Sequence, residues 1–496
     1  MFGRKFPDKR RVTREILPAP TPAILNLGPD YYDPVQAADF PDRAQIRFRN
    51  ASAAKLLGLE SLTDPEWLQH FFRFQSFAGN LPSPLALRYH GHQFTHYNPD
   101  LGDGRGFLFA QFMGTDGLLY DLGTKGSGQT PYSRAGDGRL TLKGAVREIL
   151  ATEMLESLGV TTSKTLSVVE TGESLSRNDE PSPTRAAVLV RMNHGHIRIG
   201  TFQRLAYLEQ ANNIRKLVAY CARWYYPEIA QGSDTSRDVG NRFCPDDGAD
   251  VGLAADFLRG VVRRSAKLAA EWMFAGFVHG VLNSDNINIS GESFDYGPFR
   301  FLPTYDVKFT AAYFDHQGLY CFGRQPISML WNLEQLALSL RFAYADLAAE
   351  EILATYADAF NEQVRKLMLR RLNLKSLSEG EDAELLVAYF GFLEKSQVLY
   401  EQCFFDFYGG MNVEKLRRSP QATLYRGPEF DELASRLRAY SVSDQTKLAH
   451  PYFAGASPCT MLIDELEALW KPIAEQDDWS AFTAKLTQIR AFRGLY

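Results

Sequence analysis

The stretch VHGVLNSDNINISGESFDYGP, residues 278–298, carries the polar side chains from which the rest of the chain is interpreted. Asn286 and Asp295 bear hard oxygen atoms of the kind that Mg2+ or Mn2+ accepts as ligands. Asp285 directly precedes Asn286, so a second carboxylate lies in the same loop. The stretch therefore predicts a metal-binding loop with Asp285 beside it as a candidate proton acceptor.

The order of these residues matches most of a protein-kinase active site. A kinase catalytic loop runs His-x-Asp-x-x-x-x-Asn before Asp-Phe-Gly, and here His279, Asn286 and Asp295-Tyr296-Gly297 fall at the corresponding positions. Val281 stands where the catalytic aspartate belongs. Because valine cannot accept a proton, Asp285 becomes the candidate base. The alternative is that Asp-Tyr-Gly is only a turn and Ser-Asp-Asn only a cap.

A glycine-rich sequence upstream indicates phosphate contacts, and a second glycine-containing sequence lies before a predicted helix. In LGDGRG, Gly102 and Gly104 would let main-chain N–H groups approach phosphate oxygens closely, and Arg105 would add a bidentate contact. In the second Gly-Asp-Gly-Arg sequence, Asp137 and Gly138 directly precede a predicted helix. The alternatives are a simple tight turn at the first site and a helix cap at Asp137.

A lysine and a glutamate lie on neighbouring predicted elements. GRGFLFAQF and GLLYDLGTKG predict two strands joined by a turn, and LTLKGAVREILATEMLESLGV predicts a helix that ends near Gly159. Lys125 shares a strand face with Asp121 by alternation, and Glu148 lies on the helix. Kinase-like folds pair such a lysine with such a glutamate beside the nucleotide phosphates. The alternative is that both are surface residues.

Arg191 and Arg198 lie at the end of the predicted buried strand AAVLVRM and just after it. A kinase reads adenine there with main-chain groups, whereas guanidinium groups suit phosphate oxygens. This suggests a reversed nucleotide, with the terminal phosphates where adenine usually lies and the α-phosphate facing Asp285. The alternative is that each of the two arginines forms an ordinary ion pair at the protein surface. His194 and His196 have no ligand-spaced partner and are interpreted as ordinary loop histidines.

The bulk composition excludes several classes of protein. The chain has 496 residues, 45% of them hydrophobic, and a formal net charge of -5, so no basic field favours nucleic acid. The longest apolar run, residues 385–393, is too short to span a membrane. The five cysteines form no C-x-x-C pair, which favours a reducing, cytoplasmic location. A Gly-, Asp- and Ser-rich loop is predicted near residues 231–250.

Several less common strings occur in one order between residues 89 and 338, and together they resemble the selenoprotein O family of protein adenylyltransferases. The strings are YHGHQF, LGDGR, KGSGQTPYSRAGDGR, REIL, HIRIGTF, HGVLNSDN, FDYGP and RQPISMLWNLEQLA. The resemblance implies a kinase-like fold that binds ATP in the reversed orientation and transfers AMP to protein hydroxyl groups. The reversed nucleotide is thus a family property and is not an independent inference.

Carried over residue by residue, the resemblance implies three kinds of site residue. Asp285 would be the catalytic proton acceptor, Glu148 the partner of the nucleotide-binding lysine, and Asn286 with Asp295 the metal ligands. The nucleotide-binding residues would be Gly102, Gly104, Arg105, Lys125, Asp137, Gly138, Arg191, Arg198 and Asp295. The implied partners are ATP and proteins with exposed hydroxyl side chains, and the net charge and the short apolar run predict that neither nucleic acid nor a membrane is a partner.

The predicted fold class is α+β: a bilobal protein-kinase-like fold with a largely helical C-terminal extension. Residues 1–190 would form the N-terminal region and N-lobe, residues 191–340 the C-lobe, and residues 341–496 the extension. The chain departs from the family in reading RAFRGLY at its end, without the redox-active cysteine or selenocysteine of many members. Two alternatives stay open: an ordinary ATP-dependent kinase, and an inactive nucleotide-binding scaffold.

Overall fold

The computed structural model describes residues 22–178, 180–231 and 250–496, so most of the predicted loop near residues 231–250 lies outside the described residues. The strands are β1 Tyr32–Pro34, β2 Gln45–Arg49, β3 Leu85–Leu87, β4 Gly91–Gln93, β5 His96–Asn98, β6 Leu108–Met113, β7 Leu119–Lys125, β8 Leu140–Thr141, β9 Lys164–Leu175, β10 Thr184–Asn193, β11 Phe277–Val278 and β12 Arg300–Phe301.

Helices make up most of the second half of the chain. They are α1 Ala51–Leu56, α2 Asp64–Phe71, α3 Leu142–Ser157, α4 Ile199–Tyr207, α5 Ala211–Tyr225, α6 Pro227–Gln231, α7 Val251–Phe274, α8 Gln325–Ala343, α9 Ala349–Leu372, α10 Glu379–Ser396, α11 Tyr400–Asp406, α12 Val413–Arg418, α13 Pro428–Leu437, α14 Gln445–Leu448, α15 Ile463–Gln476 and α16 Ser480–Ala491. The prediction of a mainly helical last third is confirmed.

One antiparallel sheet of eight strands organises the first half, in the order β1-β3-β6-β7-β10-β9-β2 with β8 paired to β10. The predicted hairpin is confirmed as β6 and β7, which are joined by a turn at Gly117 with a φ of 79°. Alternation along β10 sends Leu189 to the core around α3, and Val188 and Val190 to the core around α1 and α2. The sheet is therefore buried on both faces.

Helix α3 connects the sheet to the C-terminal helices. Thr141 caps it by accepting a hydrogen bond from the main-chain N–H of Gly144. The helix packs on β9 and β10 and against α15 and α16. Glu153 is buried and pairs with Arg490 at 2.8 Å and with Arg493 at 2.6 Å. The last helices thereby fix the position of the helix that carries Glu148.

Helices α7, α8 and α9 pack together to form the centre of the second half. The short hairpin of β11 and β12 follows α7, and the predicted metal-binding loop lies between these two strands. The fold is thus a mixture of helix and sheet, in agreement with the α+β prediction. Within the described residues, no helix combines the length and the apolar character that crossing a membrane requires.

Candidate active site

A cavity of about 700 Å3 opens beside the sheet, and residues from distant parts of the chain line it. All the predicted nucleotide, metal and catalytic positions line this one cavity: Gly102, Gly104, Arg105, Lys125, Asp137, Gly138, Arg191, Arg198, Asp285, Asn286 and Asp295. Glu148 lies behind Lys125 and contacts it directly. The structure thus brings together every residue that the sequence selected.

Four charged side chains form a network on one wall of the cavity. Nζ of Lys125 lies 2.7 Å from Oε2 of Glu148 and 3.0 Å from Oδ1 of Asp295. Nη2 of Arg191 lies 3.1 Å from the same Asp295 oxygen and 3.5 Å from Oε1 of Glu148. The side chains of Lys125 and Glu148 are 5% and 1% exposed, so their interpretation as surface residues is wrong.

Strand register explains why these groups meet. Lys125 ends β7 opposite Leu189 of β10, and Arg191 stands two residues further along β10, on the same face of the sheet. Glu148 projects from α3, which covers that face. Burial favours the neutral form of Asp295, but the nearby Lys125, Arg191 and Arg198 cations hold its pKa well below the usual range. Asp295 is therefore an ionised carboxylate.

Arg198 precedes α4 and contacts two loops of the site. Its Nη2 lies 3.2 Å from Oδ1 of Asp103, and its Nη1 donates a hydrogen bond of 2.8 Å to the main-chain oxygen of Asp285. The guanidinium lies over the Tyr89 ring at 4.3 Å and over the Phe294 ring at 4.9 Å. Arg198 is 7% exposed, and Arg191 is also buried, so the surface ion-pair alternative is wrong for both.

Asp285 lies in a single 3-10 turn, Ser284–Asn286, that the main-chain hydrogen bond from Asn286 N–H to the Asn283 oxygen closes. Its side chain is buried, and Oδ1 has no hydrogen-bond partner among the described residues. Burial raises the pKa of the Asp285 carboxyl to about 6, although Arg198 acts in the opposite direction. Asp285 thus lines the cavity with a buried carboxyl group, one oxygen of which has no hydrogen-bond partner among the described residues.

Asn286 and Asp295 fit a divalent metal ion by their chemistry. Nδ2 of Asn286 donates to the main-chain oxygen of Val281 at 3.1 Å, and both Asn286 and Asp295 line the cavity. Within the part of the chain that the structure describes, no group of three or more His, Cys, Asp or Glu residues is arranged to hold a metal. Two protein oxygens suit Mg2+, which completes its shell with water and phosphate oxygens.

The glycine loop is constrained by a second loop as well as by its own turn. A Cβ atom at Gly102 would lie 2.4 Å from the ring of Tyr132, and one at Gly104 would lie 2.9 Å from the Tyr132 main-chain oxygen. These glycines therefore permit the close packing of two loops. The alternative of a simple tight turn does not account for this contact with the second loop. Arg105 is exposed at the cavity mouth.

Asp137 does not cap α3, because Thr141 holds that position. Asp137 instead accepts a hydrogen bond of 2.9 Å from the Arg139 N–H and pairs with Arg177 at 2.8 Å, so the cap alternative is wrong. Gly138 has a φ of 70°, and a Cβ atom there would lie 2.3 Å from the main chain of Gly128. Both residues belong to a turn at the edge of the cavity.

The two histidines after β10 differ in burial, His194 being partly exposed and His196 buried. His196 is buried: its main-chain N–H donates to Oδ2 of Asp121 at 3.0 Å, and its Nδ1 lies 3.6 Å from the same oxygen. It does lie in the loop between β10 and α4, as interpreted, but it is buried there beside a carboxylate. His194 and His196 do not line the cavity. Sequence reasoning also missed Asp103, although its position between two selected glycines was a usable signal.

Comparison with known proteins assigns the class. The chain is 44% identical to the protein nucleotidyltransferase YdiU of Trichormus variabilis, over 93% of each protein. It is 43% identical to YdiU of Synechocystis sp., over 95% of this chain and 97% of that protein. It is 45% identical to YdiU of Gloeobacter violaceus, over 95% of this chain and 94% of that protein. The chain is an enzyme of the nucleotidyltransferase class.

A family model gives the finer assignment. The model described as protein adenylyltransferase SelO matches residues 18–490 of this chain. The chain therefore belongs to the SelO family, which confirms the resemblance that the ordered strings indicated.

Proposed function

We propose that this protein transfers AMP from ATP to Ser, Thr or Tyr hydroxyl groups of other proteins and releases pyrophosphate. The observation that carries the proposal is the placement of Asp285, which lines the same cavity as the ionised Asp295 and makes no hydrogen bond through its Oδ1 among the described residues. A cavity of about 700 Å3 is in the size range of nucleotide-sized ligand sites.

In this proposal the cations of the cavity hold the triphosphate. Lys125, Arg191 and Arg198 lie on its buried wall, and Arg105 stands at its mouth. They neutralise the phosphate charge that grows on the leaving pyrophosphate. Glu148 keeps the Lys125 side chain directed into the cavity through their 2.7 Å contact. The reversed orientation of ATP is part of the proposal, because it puts the α-phosphate beside Asp285.

The acceptor hydroxyl attacks the α-phosphorus in line with the leaving pyrophosphate, and Asp285 takes the hydroxyl proton. One oxygen–phosphorus bond forms and the bond to pyrophosphate breaks. Asn286 and Asp295 would hold Mg2+ or Mn2+, which when bound offsets the charge of the phosphates. The side chain of Asp295 is 25% exposed and so remains accessible from the cavity.

The proposal includes a bilobal protein-kinase-like fold. The β7 lysine and the α3 glutamate on one side of the cavity support it, and so does the loop after β11 on the other side. Lobe boundaries near residues 190 and 340, the acceptor proteins and a cytoplasmic location stay predictions. Val281, which lines the cavity where a kinase base would lie, disfavours the ordinary kinase.

The deciding experiment uses ATP labelled on either the α- or the γ-phosphate, with purified protein, Mg2+ and a candidate acceptor protein. Label transferred to protein from the α position alone is the expected result. Transfer from the γ position alone would establish a kinase instead. No transfer of either label, together with intact ATP binding, would favour the inactive scaffold.

A further inference from the structure

The hairpin of β4 and β5, residues 91–98, packs directly on the turn that holds Asp285. The main-chain N–H of His92 donates a hydrogen bond of 2.7 Å to Oγ of Ser284. The main-chain N–H of Phe94 donates one of 3.0 Å to Oδ1 of Asn283. Two main-chain N–H groups of the hairpin thus donate hydrogen bonds to the side chains of the two residues that precede Asp285.

Side chains outside the hairpin also form hydrogen bonds with Asn283 and Ser284. Oδ1 of Asn283 also accepts a hydrogen bond of 2.8 Å from the hydroxyl of Tyr320. Oγ of Ser284 also donates to Oε1 of Gln203, whose amide nitrogen lies 2.7 Å from Nδ1 of His92. Asn283 and Ser284 are 4% and 0% exposed. Their orientation is therefore set by protein contacts and not by solvent.

The hairpin comes closest to the turn at a glycine. A Cβ atom at Gly91 would lie 3.1 Å from Oγ of Ser284 and 3.2 Å from Cβ of Asp285. Such distances are tighter than nine in ten natural Cβ contacts, so with a larger residue here the turn would have to shift by a few tenths of an ångström. The string YHGHQF, to which the proposed chemistry gives no role, thus includes the residue that permits this contact.

The tip of the hairpin is strained where it meets the turn. Phe94 and Thr95 have φ values of 47° and 67°, in the left-handed region that glycine and asparagine favour in two-residue hairpins. The Phe94 ring packs against Tyr320 at 5.0 Å and Phe314 at 5.8 Å between ring centroids. Strained backbone that its surroundings hold in place is concentrated at functional sites.

These contacts matter because the Asp285 carboxylate itself is weakly constrained. Its Oδ1 has no hydrogen-bond partner among the described residues. Its direction therefore depends on the main chain on either side, which the hairpin holds through Asn283 and Ser284 and which Arg198 holds through the Asp285 main-chain oxygen. A proton acceptor that moves by about 1 Å loses much of its effect.

We propose that Asn283 and Ser284 are positioning residues that transmit the placement of the hairpin at residues 91–98 to Asp285. This inference rests on the proposed role of Asp285 as proton acceptor. The hairpin and the two residues fix the direction of the carboxylate toward the acceptor hydroxyl, so the loss of the contacts at Ser284, which does not line the cavity, lowers kcat and leaves ATP affinity nearly unchanged.

Ser284→Ala tests this inference, since Ser284 does not line the cavity and its loss cannot act through substrate contact. The full-length variant should show kcat for α-label transfer reduced at least about tenfold, with the Kd for ATP within about twofold of the parent. Amide hydrogen exchange in residues 282–286 should quicken. The matched control is Ser339→Ala, which removes a buried hydroxyl whose one hydrogen bond among the described residues is to the Gln335 main-chain oxygen, and it should leave kcat unchanged.

Tyr320→Phe is the second variant, and it keeps the test decisive if Ser284→Ala folds poorly. It removes one donor to Asn283 while keeping the ring, so kcat should fall and ATP binding should persist. Parent-like kcat in a folded variant would overturn the inference, as would a loss explained entirely by weaker ATP binding. Failure of the proposed function is distinct, because the parent protein would then transfer no α label.

Discussion

The guanidinium of Arg198 and the main-chain oxygen of Asp285 are joined by a hydrogen bond of 2.8 Å. The same guanidinium lies 3.2 Å from Asp103 of the glycine loop. One buried side chain therefore connects the loop expected to contact phosphates with the turn expected to take the proton. Because a guanidinium has five donors in a fixed plane, it contacts both loops and keeps N–H groups for a ligand.

Arg198→Lys should reduce both ATP affinity and turnover. A lysine keeps the charge but has a single nitrogen, so it cannot span Asp103 and the Asp285 oxygen at once. We expect ATP affinity and kcat each to fall about tenfold or more, measured by calorimetry and by α-label transfer. Arg341→Lys, in an exposed pair with Glu350, is the matched control and should behave like the parent. Parent-like kinetics for R198K would show that charge alone suffices.

The residues that the sequence located correctly are those whose neighbours follow from local rules. Lys125 and Glu148 could be paired because alternation along a strand and periodicity along a helix give each side chain a direction. Asn286 and Asp295 could be selected because their spacing from His279 matches the order of residues in a kinase catalytic loop and its Asp-Phe-Gly sequence. For these residues, short-range geometry was sufficient.

The contacts that sequence reasoning missed join segments far apart in the chain. The pairing of His92 with Ser284 spans 192 residues, and nothing in either local sequence indicates it. The burial of His196 also depends on a distant partner, Asp121 on β7. Asp137 was open to interpretation as a cap because only the structure shows Thr141 in that position. Tertiary packing decides such cases.

Asp295→Ala should abolish metal-dependent nucleotide binding. The change removes the ionised carboxylate of the proposed metal site and leaves the Lys125 and Arg191 cations facing each other without it. Titration of ATP in the presence and absence of Mg2+ should show that Mg2+ no longer strengthens binding. Asp346→Ala, at an exposed position, is the control. Retained Mg2+ dependence would remove Asp295 from the metal site.

Asp285→Ala should separate binding from catalysis. Asp285 adds no donor for phosphate, so the Kd for ATP should change by less than about threefold. Loss of the proton acceptor should lower α-label transfer by about a hundredfold or more. Asp285→Asn should be equally inactive, because an amide keeps the shape but cannot take the proton. Substantial transfer by both variants would mean that another group accepts the proton.

Lys125→Met should destabilise the protein as well as weaken ATP binding. The change leaves Glu148, whose side chain is 1% exposed, with Arg191 at 3.5 Å as its remaining cation. Breaking a buried ion pair on one side costs about 3 kcal/mol in free energy of unfolding. Urea denaturation should show this loss, and the double variant with Glu148→Gln should recover part of it. Equal stability of parent and K125M would contradict the importance of the pair.

Thr95→Asn should stabilise the protein by relieving strain at the tip of the hairpin. Thr95 is exposed and has a φ of 67°, a conformation that costs a β-branched residue about 1 kcal/mol more than asparagine. The gain should appear in urea denaturation as a higher free energy of unfolding. Thr115→Asn, at an exposed residue without positive φ, is the matched control and should give no gain. A loss of stability in T95N alone would show that the Thr95 hydroxyl, which donates to the Phe94 oxygen at 2.6 Å, outweighs the strain.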